Sequence, residues 1–319
     1  VHTTLAPTLE RAQIQSSFVI MHTATVNQVL DAKDIVGESI VWDEQRGALL
    51  WIDIVGQRIH RLVVSSASHQ IWETPSLVTS LGLRKDGGAV VGLKKTVALW
   101  NYDDHFQELA TIEEALPANR LNEGVTGPDG AHWVGTMQNN VKEDGSPKDI
   151  TESTGSVYRV TADGKVSQLT TDRFGITNTM AWTNTNHFIT GDTLENTLYS
   201  YAIDPHGFEL NDRKVLCCGF SRGLPDGSCL DAEGYLWNCR VAGGACLIRI
   251  APDGSIDRVV ELPCLWPTSC CFGGDDLSDL YVTSARFTLT ADHLATHPQE
   301  GALFKVDAGV RGLPANRFG

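Results

Sequence analysis

"LPDGSCLDAEGYLW", residues 224–237, decides how this chain is read. Two apolar-leaning runs flank the turn Asp231-Ala232-Glu233-Gly234, the pattern of a half-buried β-hairpin. Asp226 sits at the mouth of the first run, where an unpaired buried carboxylate would be costly.

The same unit recurs along the chain. It appears as "WDEQRGALLWID" (42–53), "LRKDGGAVVGL" (83–93), "GPDGAHWVGT" (127–136), "TNTNHFITGD" (183–192), "DAEGYLWNC" (231–239) and "GGDDLSDLYVTS" (273–284). The spacing between units, about 40 to 55 residues, is that of a propeller blade. A third strand follows each unit, for example "QRIHRLVV", "GSVYRVT" and "NTLYSYAI", and an outer strand follows in the first five. The sixth lacks its outer strand, and "ATVNQVLD" (24–31) is an unassigned strand near the start. Placed on the last blade, it closes the ring and removes an exposed edge. The fold class is therefore all-β, a six-bladed β-propeller of four-stranded blades closed by an N-terminal strand. Residues 24–319 form one domain, with 1–23 as a poorly ordered leader. A short helix is expected only over 290–298.

Five residues before each turn-opening residue stand Glu38, Thr79, Asn122, Asn178, Asp226 and Thr268. All six carry oxygen, and each begins the innermost strand of its blade, so they should converge at one mouth of the central channel. Oxygen donors of this kind suit a hard divalent cation, and two facing carboxylates would repel without one. The competing reading is a wet channel lined by polar groups.

Composition limits the partners. The chain has 319 residues and a formal charge of −14, which argues against nucleic acid or an anionic membrane surface. No apolar run approaches a membrane span, and the start lacks the pattern of a signal peptide. The eight cysteines lie between Cys217 and Cys271 without a C-x-x-C spacing. They read as buried reduced thiols rather than a zinc site, which favours a cytoplasmic location. "GFSRG" (219–223) matches G-x-S-x-G but leads into a strand, not the helix a nucleophile elbow needs. His293 and His297 are four apart on the expected surface helix, without the acid of a zinc motif. Trp51, Trp133 and Trp237 recur at one blade position and read as core.

The chain resembles the regucalcin, gluconolactonase and senescence-marker-protein family, nearest to bacterial sugar-acid lactonases. The resemblance rests on "GESIVWDEQRGALLWIDI" (37–54), "NRLNEGVTGPDGAHWVGTM" (119–137), "ITNTMAW" (176–182), "GDTLENTLYSYAID" (191–204), "PDGSCLDAEGYLWNC" (225–239) and "PTSCCFGGDDLSDLYVTSAR" (267–286). It implies a six-bladed propeller with one divalent metal held by Glu38, Asn178 and Asp226. The ion is left open among calcium, magnesium, manganese, zinc and Fe(II). The resemblance places Arg120 and Asn122 on the substrate, with Glu123 and Asn140 beside them. Three positions depart from the family pattern: Glu123 where a shorter Asp is usual, Gly127 in place of the Asp before the following Pro, and Asn140 where an acidic residue is often found.

The activity implied is hydrolysis of a sugar lactone by a monomer or dimer. Asp226 is the candidate catalytic residue, orienting or deprotonating the attacking water. Two other classes compete: a metal-dependent aryl-ester or organophosphate hydrolase, which wants a more apolar pocket, and a non-catalytic calcium-binding propeller.

Overall fold

The computed structural model describes residues 20–21, 24–183, 186–206 and 208–319. Six antiparallel sheets form the blades of a propeller, as the repeat predicts. Their inner strands are Gly37–Asp43, Val78–Leu83, Asn119–Thr126, Thr177–Trp182, Leu224–Leu230 and Pro267–Gly273. Blades 1 to 5 each run outward through consecutive strands. Blade 6 takes its outer strand, Val26–Leu30, from the beginning of the domain, where Val26 pairs with Val306. The ring is thus closed by the strand singled out for that role.

Most of the expected leader lies outside the described residues. Ile20–Met21 is an exception, a two-residue strand added in parallel to the outer strand of blade 5, opposite Arg258 and Val259. The helix is Ala291–Thr296, capped by Thr290, whose side chain accepts from the His293 backbone N–H. No helix among the described residues is long and apolar enough to cross a membrane.

Trp51, Trp133 and Trp237 are fully buried in the second strands and pack blades against one another. Their polar edges are answered. Trp237 Nε1 donates to Asp231 Oδ2 at 2.9 Å, and Arg249 Nε donates to the same oxygen at 2.8 Å. Asp231 Oδ1 accepts from the turn amides of Glu233 and Tyr235. The residue that opens the deciding turn therefore ties turn, core tryptophan and third strand together.

All six inner strands carry a β-bulge near their start, between Glu38 and Val41, Val78 and Ser80, Leu121 and Gly124, Asn178 and Met180, Pro225 and Ser228, and Pro267 and Cys270. Every residue of the predicted six-membered ring lies inside or at the edge of its bulge. A bulge bends the strand and re-aims a side chain, here toward the channel. Ser39 and Thr179 accordingly adopt left-handed backbone at φ 49° and 59°. Hydrogen bonds hold them there: Leu81 N–H donates to Ser39 Oγ at 2.8 Å, and Thr179 Oγ1 donates to the Asp226 carbonyl at 2.5 Å. Beside Asp226 only glycine fits, because a Cβ on Gly227 would stand 2.8 Å from the Thr268 carbonyl of the next blade.

The inner hairpin turns lie at the opposite end of the channel, about 17 Å along the strands. That end is crossed by the last residues of the chain. Ala232 N–H donates to the Arg311 carbonyl, Gly312 N–H to Leu277, Phe318 N–H to Leu83 and Gly319 N–H to Gly130. Arg317 adds ion pairs to Asp43 and Glu44 at 2.9 and 3.1 Å. The segment that follows the last blade is a strap over the back of the ring.

Candidate metal centre and active site

The carboxylates of Glu38 and Asp226 and the amide of Asn178 come together at the front mouth, from blades 1, 5 and 4. All three are buried, and the two acids hydrogen-bond to each other. Glu38 Oε2 accepts from the Ser39 N–H at 2.9 Å. Burial pushes Glu38 up to about 7, a rise only partly offset by the Ser39 N–H and Asp226. Asp226 is raised well above the ordinary range, first by burial and then by Glu38 and Glu123. Asn178 Nδ2 donates to Thr193 Oγ1 at 2.8 Å, which fixes the amide and leaves Oδ1 for the channel. Asn122 Nδ2 meets that oxygen at 3.2 Å.

Two buried acids with raised pKa and a pre-oriented amide oxygen form a donor set that a hard divalent cation would stabilise in its ionised state. Among the described residues no three His, Cys, Asp or Glu side chains are gathered around one point as a ready-made ion site. The amide of Asn178 is therefore a needed third donor.

Entry to these inner strands is pinned by residues that sequence reading passed over. Asp53 accepts from the Ile35 and Val36 N–H groups at 3.1 and 3.0 Å, just ahead of Glu38. Asp192 accepts from Gly175 and Ile176 at 2.7 and 3.3 Å, just ahead of Asn178. Both close the second strand of their blade, in "LLWID" and "FITGD", and this shared position was the available signal.

Arg120 spans the floor. Its Nη1 donates to Asn122 Oδ1 at 2.7 Å and its Nη2 to Asn140 Oδ1 at 2.9 Å, while its buried Nε has no partner. Burial lowers it to about 10, so it remains charged near neutrality. Asn140 belongs to a small hairpin after the second strand of blade 3. There the Asn139 side chain bonds both the N–H and the carbonyl of Val141, and Lys148 N–H donates to the Asn140 carbonyl.

A cavity of about 120 Å³ stands on this floor, lined by Glu38, Arg120, Asn122, Asn140, Asn178 and Asp226 together with apolar residues nearer the opening. Glu123 is placed elsewhere. It lines a larger cavity of about 330 Å³ at the back of the channel, between the floor and the strap. Its carboxyl is raised by burial and by Glu38, so it is coupled to the centre from behind without facing the front cavity. The six-membered ring is also incomplete as a set of donors. The Thr79 hydroxyl is turned to the Gly92 carbonyl at 3.2 Å and the Thr268 hydroxyl to the Gly37 carbonyl at 2.5 Å. A short hydroxyl at a strand start finds a backbone acceptor before it can reach the channel axis.

The family described as "SMP-30/Gluconolactonase/LRE-like region" matches residues 36–286. The chain belongs to this family. It is similar to regucalcin of Xenopus laevis, 34% identical over 295 residues, 89% of this chain and 94% of that protein. It is 31% identical over 298 residues to a 6-deoxy-6-sulfogluconolactonase of Pseudomonas putida, covering 92% of this chain and 98% of the other. Among solved structures, a calcium-binding regucalcin of Agrobacterium tumefaciens superposes with a TM-score of 0.86 at 27% identity, covering 95% of this chain and all of that one.

Other candidates fall away from this family site. His293 Nε2 lies 3.0 Å from Glu300 Oε1, and Glu300 in turn accepts from Leu265 N–H, so the pair fastens the helix to blade 6. Ser221 of "GFSRG" is exposed on the loop between blades 4 and 5. All eight cysteines are free; four are buried, three half-buried and Cys218 exposed, a looser arrangement than the expected buried thiols.

Proposed function

We propose that this chain is a divalent-cation-dependent lactonase that opens a sugar lactone to its acid at the front mouth. The observation carrying this reading is the pairing of Glu38 and Asp226 with the oriented Asn178 oxygen, directly beside the Arg120–Asn122–Asn140 chain. Metal centre and polar orienting groups share one small cavity.

When bound, the cation supplies Lewis-acid polarisation of the lactone carbonyl and makes water a better nucleophile. Glu38, Asn178 and Asp226 would hold the ion. Asp226 would orient the attacking water, take its proton as the new C–O bond to the carbonyl carbon forms, and return that proton to the ring oxygen as the ring C–O bond breaks. Asn140 and the free face of Arg120 hydrogen-bond the hydroxyls and fix the ring. Asn122 acts mainly through Arg120, because both ends of its amide are already engaged. An oxygen-only set favours calcium, magnesium or manganese over softer ions.

Asp226→Asn tests the assignment: hydrolysis should fall steeply with the fold retained, and full hydrolysis by this variant would contradict it. Tight cation binding without turnover of any lactone would favour a non-catalytic calcium-binding propeller instead.

A further inference from the structure

The front cavity has two unlike halves. Its floor is polar and buried, whereas the wall toward solvent is made of Ile54, Val55, Val141, Ile176, Trp266 and Phe287. Val55, Trp266 and Phe287 are half-buried, which places them at the opening. Three separate loops build this wall. Val55 follows the second strand of blade 1, Val141 that of blade 3 and Phe287 that of blade 6. Ile54 and Val141 belong to one apolar cluster, with Val55 and Phe287 packed against it. The blade 3 hairpin reaches over the short connection of blade 2 to do so: a Cβ on Gly145 would sit 3.3 Å from Val55 Cγ1. Among the described residues, the one cationic side chain lining the cavity is Arg120, at the floor, and its two Nη atoms are engaged by Leu121, Asn122 and Asn140.

Resting on the lactonase reading, the geometry points to a narrower substrate class: a lactone whose exocyclic tail is apolar, a hydrogen or a methyl, as in a deoxy-sugar lactone. The reacting carbonyl must sit at the carboxylate floor. The tail is attached beyond the ring oxygen and extends away from the carbonyl, toward Val141 and Phe287. A hydroxymethyl tail there exchanges water for an apolar wall without a hydrogen-bond partner. Among the described residues, an anionic tail, sulfonate or phosphate, meets no cationic side chain along this wall. Ring hydroxyls on the other side meet Asn140 and Arg120. The wall thus selects the tail while the floor selects the ring.

The test compares kcat/KM of the cation-loaded protein for three lactones of one ring stereochemistry: glucono-1,5-lactone, its 6-deoxy analogue and its 6-deoxy-6-sulfo analogue, with spontaneous opening subtracted. The expected order is deoxy first, hydroxymethyl lower by about 10-fold or more, and sulfo lowest. Phe287→Ser and Val141→Ser should narrow the gap between the first two by raising turnover of the hydroxymethyl lactone. Turnover of the hydroxymethyl or sulfo lactone at or above that of the deoxy lactone would overturn the inference and leave the lactonase reading standing. Turnover of none of the three, nor of pentonolactones, with any divalent cation would overturn both.

Discussion

The two mouths of the channel are built from the same six strands and differ in almost every physical respect. At the front, bulges turn Glu38, Asn178 and Asp226 inward, and the cost of burying them is one that a bound cation would offset. At the back, the acids that open the hairpin turns are already satisfied. Asp231 accepts from two amides, Trp237 and Arg249, and Asp43 from Arg46 and Arg317. The back closes under a strap, whereas the front is open and rimmed by apolar loops. A buried carboxylate therefore has two meanings here. With partners it stabilises the ring, and without them it marks the place where a ligand completes the structure.

The largest expected effect is at the front. Asp226→Asn or Glu38→Gln should lower kcat/KM by about 10²–10⁴-fold, measured at saturating cation. Metal-free thermal stability should hold or rise, because an amide buries without the ionisation cost that the two coupled acids carry. The mirror experiment is at the back: Arg249→Met leaves Asp231 buried beside fewer partners. Breaking such a pair costs about 3–5 kcal/mol, readable in denaturant unfolding, and kcat/KM of the folded fraction should stay close to that of the unaltered protein.

The pH dependence separates the mouths further. The unfolded chain releases the Glu38 proton near its ordinary 4.5 and the folded chain near 7. Over that window the native state binds the extra proton, so metal-free stability falls as pH rises. Asp226 and Glu123, raised by burial, act in the same direction. His60 and His132, lowered by burial to about 3 and 4, oppose this below their ordinary 6.5, in metal-free and metal-loaded protein alike. The difference in melting temperature between the two forms should therefore widen from pH 5.5 to 8, and cation affinity should tighten over the same range. A difference that stays flat would mean the acids are not the ligands.

A smaller effect is expected from Glu123→Gln. It should stabilise the metal-free protein and loosen the cation, leaving KM for the lactone unchanged, since Glu123 faces the back cavity. A large rise in KM would restore it to the substrate side. Ser221→Ala should change neither activity nor stability.

What could be read from the sequence was what is local or repeats at a fixed offset. Hairpin turns and alternating strands gave the blades, and counting back from Asp231 to Asp226 gave the channel positions in every blade. The same counting overreached at Thr79 and Thr268, because offset fixes where a strand starts and not which acceptor a hydroxyl finds. Glu123 lines the back cavity for a related reason: adjacent residues on a strand face opposite ways, and the bulge between Leu121 and Gly124 sets which way each one turns. Asp53 and Asp192 left a signal in their shared place at the end of a second strand, whereas the apolar wall was out of reach. Its role depends on contacts between segments far apart in sequence, as where the blade 3 hairpin meets Val55. The strap was likewise invisible, since its order comes from backbone hydrogen bonds and from ion pairs of Arg317 with Asp43 and Glu44, far away in sequence.

The most direct test of the account is proton release from an aldonolactone panel by protein stripped of metal and then given each divalent cation in turn, with spontaneous opening subtracted. The account predicts that stripping abolishes turnover of at least one lactone and that a hard cation restores it, but not in Asp226→Asn. Turnover that survives stripping, or full activity restored to Asp226→Asn, would contradict it.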